Sequence, residues 1–153
     1  MMEMEKRAAD ALKSIARNQQ LKAYLSQSEV MYPVLLQAAK RFIAGETREE
    51  GIQQSKLLAS RGYRVSIEYI GENTPSAEDC VKAREEFAAL IKEIARESLE
   101  AAVCLDLSHI GLTVDRGLAA DNINILAKEG REHGISIMVS WRPKCCTGLR
   151  QKG

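Results

Sequence analysis

The stretch Ala102-Val103-Cys104-Leu105-Asp106-Leu107-Ser108-His109-Ile110-Gly111-Leu112 decides how the chain is read. Val103, Leu105 and Leu107 alternate with Cys104, Asp106 and Ser108. A period of two marks a strand with one apolar and one polar face. His109 and Gly111 then signal the handover to a loop. Two other stretches share the design. In residues 63–70, Val65 and Ile67 oppose Ser66 and Glu68. In residues 135–140, Ile135, Ile137 and Val139 oppose Ser136, Met138 and Ser140.

Helical patterns separate the three strands. Pro33 opens the first turn of a helix carrying Val34, Leu35, Ala38, Ala39, Phe42 and Ile43, with Gly45 as its end. Thr47 and Glu50 make a capping box for a helix to about Ser60, which Gly62 stops. Ser76 caps a long helix whose Ala83, Phe87, Leu90, Ile91 and Ile94 form one apolar face. Asp115 opens a helix with Ala119, Ile123, Leu126, Ala127 and Gly130 at the same spacing, and Gly134 stops it. Residues 3–17 form a further helical pattern, whereas residues 19–32 read as polar and less regular. The predicted class is α/β: N-terminal helices, then three parallel strands alternating with helices, as part of a (βα)8 TIM-type barrel. The expected organisation is an N-terminal helical segment (1–32), a partial barrel (33–140) and an irregular tail (141–153). In a barrel the aliphatic strand faces meet the helices, and the polar faces line an interior whose C-terminal rim holds the active site.

The totals set limits. A chain of 153 residues with 45% apolar and 28% charged residues fits one globular domain with a real core. A net charge of +1 and 5% aromatic content give nucleic-acid binding no electrostatic support. No apolar run approaches the ~20 residues of a membrane helix, and the start lacks the apolar core of a signal peptide. Cys80, Cys104, Cys145 and Cys146 match no zinc spacing, so reduced cysteines in a cytoplasmic protein are expected.

Glu68 and Asp106 are expected to point inward from neighbouring strands, with Glu72 and His109 just beyond in the loops. Two carboxylates close together in a partly dry site need a cation or a shared proton. Alternatively they are solvated at the sheet end or cap loop amides. His109 suits a general base, a cofactor contact, a metal ligand or a satisfied hydrogen-bonder. Glu68, Asp106 and His109 would also serve as hard ligands of a metal-dependent barrel enzyme. Cys104 has no activating base and reads as a core filler.

Four segments together resemble the proline dehydrogenase family of flavoenzymes: Arg41-Phe42-Ile43-Ala44-Gly45-Glu46-Thr47, Val65-Ser66-Ile67-Glu68-Tyr69-Ile70-Gly71-Glu72, residues 103–112 and residues 133–140. The resemblance implies a (βα)8 barrel binding FAD at its C-terminal rim. It also implies hydride transfer from the Cδ of L-proline to the flavin, giving pyrroline-5-carboxylate, with a quinone as acceptor at the membrane. Gly71, Glu72, Ser108 and Gly111 match the family pattern residue by residue. Glu68 stands for the family's Asp, Asp106 for Lys, His109 for Gln and Met138 for Arg. By this resemblance Glu68 and His109 are the catalytic candidates, Asp106, Ser108, His109 and Met138 contact the cofactor, and Glu68 and Glu72 meet the substrate. The exchanges at 106 and 138 remove two positive charges from a site for an anionic cofactor, so the chain reads as a divergent branch. Three strands cannot close a barrel. The chain is therefore expected to be an inactive, truncated fragment with open sheet edges prone to self-association, cytoplasmic or peripheral at the inner membrane face.

The strand over 135–140 keeps its alternation to the last residue, after which every pattern stops at Trp141. The tail is expected to be an out-of-frame translation, because one base earlier the codons can read Met-Glu-Thr-Glu-Met-Leu-Tyr, which fits the family after this strand. Sequencing the gene is expected to show a Ser140 codon ending in A, AGA at Arg142 and a long open frame in the shifted register. Other codons there would refute it.

Overall fold

The computed structural model describes Arg7 and residues 18–140. The helix expected over 3–17, Arg7 apart, and the tail from 141, with its expected change of frame, lie outside the described residues. The chain divides into two compact units, 1–44 and 45–153.

In the first unit, α1 (Gln19–Gln27) is a helix where the sequence reading found only polar irregularity. Its origin is the Asn18 side chain, which accepts the Leu21 N–H at 3.0 Å. Helix α2 (Met31–Ala39) carries Pro33 in its first turn as expected, but it ends well before Gly45. The Phe42 N–H donates to the Ala39 carbonyl at 2.7 Å, turning the chain out of the helix. No residue of α2 is buried, and Phe42 is 89% exposed.

The second unit begins with a helix start that departs from the usual box. Thr47 Oγ1 accepts the Glu50 N–H at 3.2 Å, and Glu50 Oε2 accepts the Glu46 N–H at 2.7 Å. In the usual box the returning bond goes to the cap residue itself. Gly45 permits the shift, because a Cβ there would stand 2.3 Å from the Glu50 Cβ. The elements that follow are α3 (Arg48–Ser60), β1 (Val65–Glu68), α4 (Ala77–Arg96), β2 (Ala101–Asp106), α5 (Arg116–His133) and β3 (Ile137–Ser140). Ser76 Oγ and Asp115 Oδ1 cap α4 and α5, accepting the N–H groups of Asp79 and Leu118 at 3.1 and 2.8 Å.

All three of these helices end in one device. The N–H of Tyr63 reaches back to the Leu58 carbonyl, that of Leu99 to Ile94, and that of Ile135 to Gly130, at 3.2, 3.1 and 2.8 Å. This is the Schellman closure, which needs a left-handed residue just before the bonded one. Gly62 and Gly134 supply it with φ of 84° and 70°. In α4 the position is Ser98, a side-chain-bearing residue held at φ 50°.

The sheet is parallel with order β1-β2-β3, so each helix returns the chain to the neighbouring strand. The register pairs Ile67 with Val103 and Val103 with Ile137. That aliphatic row is covered by Phe87, Leu90 and Ile91 of α4 and Leu126 of α5, with Ile52 of α3 at its margin. Sequential strand order with one-handed crossovers puts every helix on the same side. This is the wall geometry of a barrel-like α/β fold, and no described element of this unit covers the other side of the sheet.

Ser98→Gly is expected to stabilise the protein. A left-handed conformation costs an L residue about 1–2 kcal/mol, and glycine's extra freedom costs about 0.5–1 kcal/mol, leaving a gain of about 0.5–1 kcal/mol. A raised urea midpoint at unchanged m-value is the measurement.

Candidate functional site

The open face carries the even-numbered strand residues. The register sets Glu68, Cys104 and Met138 in one row across the three strands, with Asp106 and Ser140 paired in the row beyond. Glu68 is exposed, Cys104 half-buried and Met138 46% exposed. Glu68 and Asp106 thus share a face but stand one row apart, and each carboxylate has its own surroundings. Glu68 is in water. Asp106 Oδ1 accepts the Ser108 N–H at 2.7 Å, which makes it a cap for the loop that follows.

That cap begins a stitched rim at the C-terminal ends of β1 and β2. Ser108 is buried, and its Oγ accepts the Asn73 N–H at 3.0 Å. Its carbonyl accepts the Thr74 N–H at 3.2 Å. The loop after β1 is thereby tied to the loop after β2. From below, Asn122 of α5 donates through Nδ2 to the Ile110 carbonyl at 2.9 Å. Asn122 is buried, whereas Ala127, expected on the apolar stripe, is exposed. The sequence reading missed Asn122; the signal was a polar residue three positions after Ala119, on the face that meets the core.

His109, expected beside a cofactor, has its ring enclosed at 7% exposure. Tyr69 stacks on it at 4.9 Å between centroids, and Phe87 of α4 meets it edge-on at 5.6 Å. Gly71 lies against the ring so closely that a Cβ there would sit 2.2 Å from Nε2. Burial pushes the imidazole below its ordinary pKa of 6.5, against weaker opposing pulls from a hydrogen bond to the Tyr69 backbone and from the Asp106 charge. Nδ1 is buried without a hydrogen-bond partner. Glu72 is exposed in the loop after Gly71.

Among the described residues no cluster of three or more His, Cys, Asp or Glu side chains is placed to hold a metal ion. No described helix is long and apolar enough to cross a membrane. Cys80 and Cys104 are free thiols, and burial raises the pKa of Cys80 above its usual value. The open-face residues of the strands include two carboxylates and no Lys, Arg or His. This donor set does not fit a dinucleotide pyrophosphate, which calls for cations or converging N–H groups.

No protein-family model matches the chain. The chain is 28% identical over 101 residues to "Proline dehydrogenase 1" of Bacillus subtilis (strain 168), covering 66% of this chain and 33% of that protein. It is 28% identical over 102 residues to "Proline dehydrogenase 2" of the same strain, covering 67% of this chain and 34% of that protein. The chain thus spans about a third of the length of these curated relatives.

Gly71→Ala is expected to destabilise the unit by about 1–3 kcal/mol, as overpacking does when the neighbour is itself enclosed. In a His109→Ala background the same change should cost less than half as much. A urea-unfolding double-mutant cycle checks this.

Proposed function

We propose that the chain is part of a flavin-dependent oxidoreductase of the proline dehydrogenase type, with L-proline or a related amino acid as substrate and a quinone as electron acceptor. The observation that carries the reading is the 28% identity over 101 residues to proteins named proline dehydrogenase. A parallel sheet with one polar face, open beside an organised C-terminal rim, agrees with it. In this reading Glu68 and Glu72 meet the substrate end of the pocket, where an amino acid brings an ammonium that two exposed carboxylates attract. Met138 and Cys104, in the same row as Glu68, would offer an uncharged wall to a flavin ring bound on this face. Asp106, Ser108 and His109 act through the rim, fixing the loop that carries Glu72.

FAD is the proposed cofactor of the whole protein. The open face of the three strands does not supply its pyrophosphate site, so in this reading other parts of the protein hold that group. For the same reason we propose that the 153-residue chain by itself does not turn over proline.

The test is made on two samples. A protein that carries this segment at the full length of the proteins named proline dehydrogenase should be yellow, release flavin on denaturation and reduce an artificial acceptor when given L-proline. A colourless product that ignores added FAD and proline would sink the reading. The 153-residue chain, given FAD, proline and acceptor, should show no turnover above buffer, and robust turnover would overturn the second proposal.

A further inference from the structure

The enclosed histidine stands apart from the open face, and the function proposed above uses it only through the rim that it helps to hold. Its ring lies where three segments meet: Tyr69 and Gly71 from the loop after β1, Phe87 from α4, and its own loop after β2. It is 93% buried by the measure of its 7% exposure, and its Nδ1 makes no hydrogen bond. The Ser108 bonds to Asn73 and Thr74 join the same two loops one residue away.

We propose that His109 is a pH-sensitive latch between the two rim loops, holding them together while its imidazole is neutral and releasing them when the ring is protonated. A neutral ring stacks on Tyr69, meets Phe87 and fills the space that Gly71 leaves. A second ring proton would place a charged N–H on an atom that the fold encloses without an acceptor. Opening the loops gives that N–H water. Of the groups that face the ring, the loop after β1 contributes the Tyr69 ring and backbone, α4 contributes the Phe87 ring, and the end of β2 contributes the Asp106 carboxylate. Asp106 is the one charge among them. The hydrogen bond to the Tyr69 backbone and, more weakly, the Asp106 charge favour the protonated ring, and burial outweighs both.

The direction of the pH effect follows. An opened, solvated His109 takes up a proton near its ordinary value of 6.5, and the enclosed one resists it. The closed rim therefore holds its full stability above about pH 6.5 and loses it progressively as the pH falls below. The exposed Glu72 rides on the released segment, so acidification changes the rim without touching the sheet.

Amide hydrogen exchange, corrected for the intrinsic effect of pH, reads the latch directly and is independent of any enzymatic activity. The Asn73 and Thr74 amides should lose about three- to tenfold of their protection between pH 7.0 and 5.5, while β2 amides keep theirs. The loss should vanish in His109→Gln, and also in His109→Phe, which refills the aromatic slot if the glutamine variant fails to fold. It should persist in His133→Gln, the control at the other histidine. Ring NMR on the unaltered protein should show His109 titrating below 6.5. Titration at or above that value, equal loss of protection in the His109 variants, or abolition by His133→Gln would each overturn the proposal.

Discussion

The second unit rests on the burial of one face of one strand. Val103 and Leu105 of β2 are fully enclosed, and they sit at the centre of the sheet with a neighbour on each side. Each buried aliphatic side chain of this size contributes about 1.5–3 kcal/mol. Phe87, Ile91 and Ile94 of α4 and Leu126 of α5 are enclosed by the same event. Because the chain advances one strand at a time in a single direction, both crossover helices are spent on this side. The opposite side, with Glu68, Cys104, Asp106 and Met138, is left without cover from the described residues of this unit.

The two ends of the sheet are finished by different means. Leading into the strands, three helices close with Schellman turns, and the chain enters each strand after a left-handed residue. At the far end the finish is made of polar side chains holding backbone groups: Asp106 on the Ser108 N–H, Ser108 on the Asn73 N–H, and Asn122 on the Ile110 carbonyl. Buried backbone groups in loops need such partners. The polar residues at this end therefore divide their work. Asp106, Ser108 and Asn122 shape the rim, and Glu68 and Glu72 remain in solvent, where a ligand would meet them.

This division bears on the functional reading. A carboxylate that accepts a 2.7 Å bond from a loop amide is held in place for a structural reason, whatever else it does. An exposed carboxylate on a face with no cation among its strand residues is the more available partner for an ammonium group. The amino-acid substrate proposed above would bring such a group, and the likeness to proteins named proline dehydrogenase extends over the third of those proteins that this chain spans.

Alternation in three short stretches, the 83-87-90-91-94 stripe and the Thr47, Ser76 and Asp115 caps were enough, from sequence, to place three parallel strands between helices. These signals are local, and local hydrogen bonds or periodicity enforce them. Asn18 was as legible a cap, but the polar run after it hid the helix. What the sequence could not decide was which partners each polar side chain would find across long gaps in the chain. Ser108 meets Asn73 across 35 residues, and Asn122 meets Ile110 from the next helix. From sequence His109 is a loop residue with several open roles, because Tyr69, Gly71 and Phe87, which enclose it, lie 22 to 40 positions earlier in the chain. Only packing brought them around the ring, and that burial, a tertiary property, holds its pKa below the ordinary value and leaves Nδ1 enclosed without a hydrogen-bond partner.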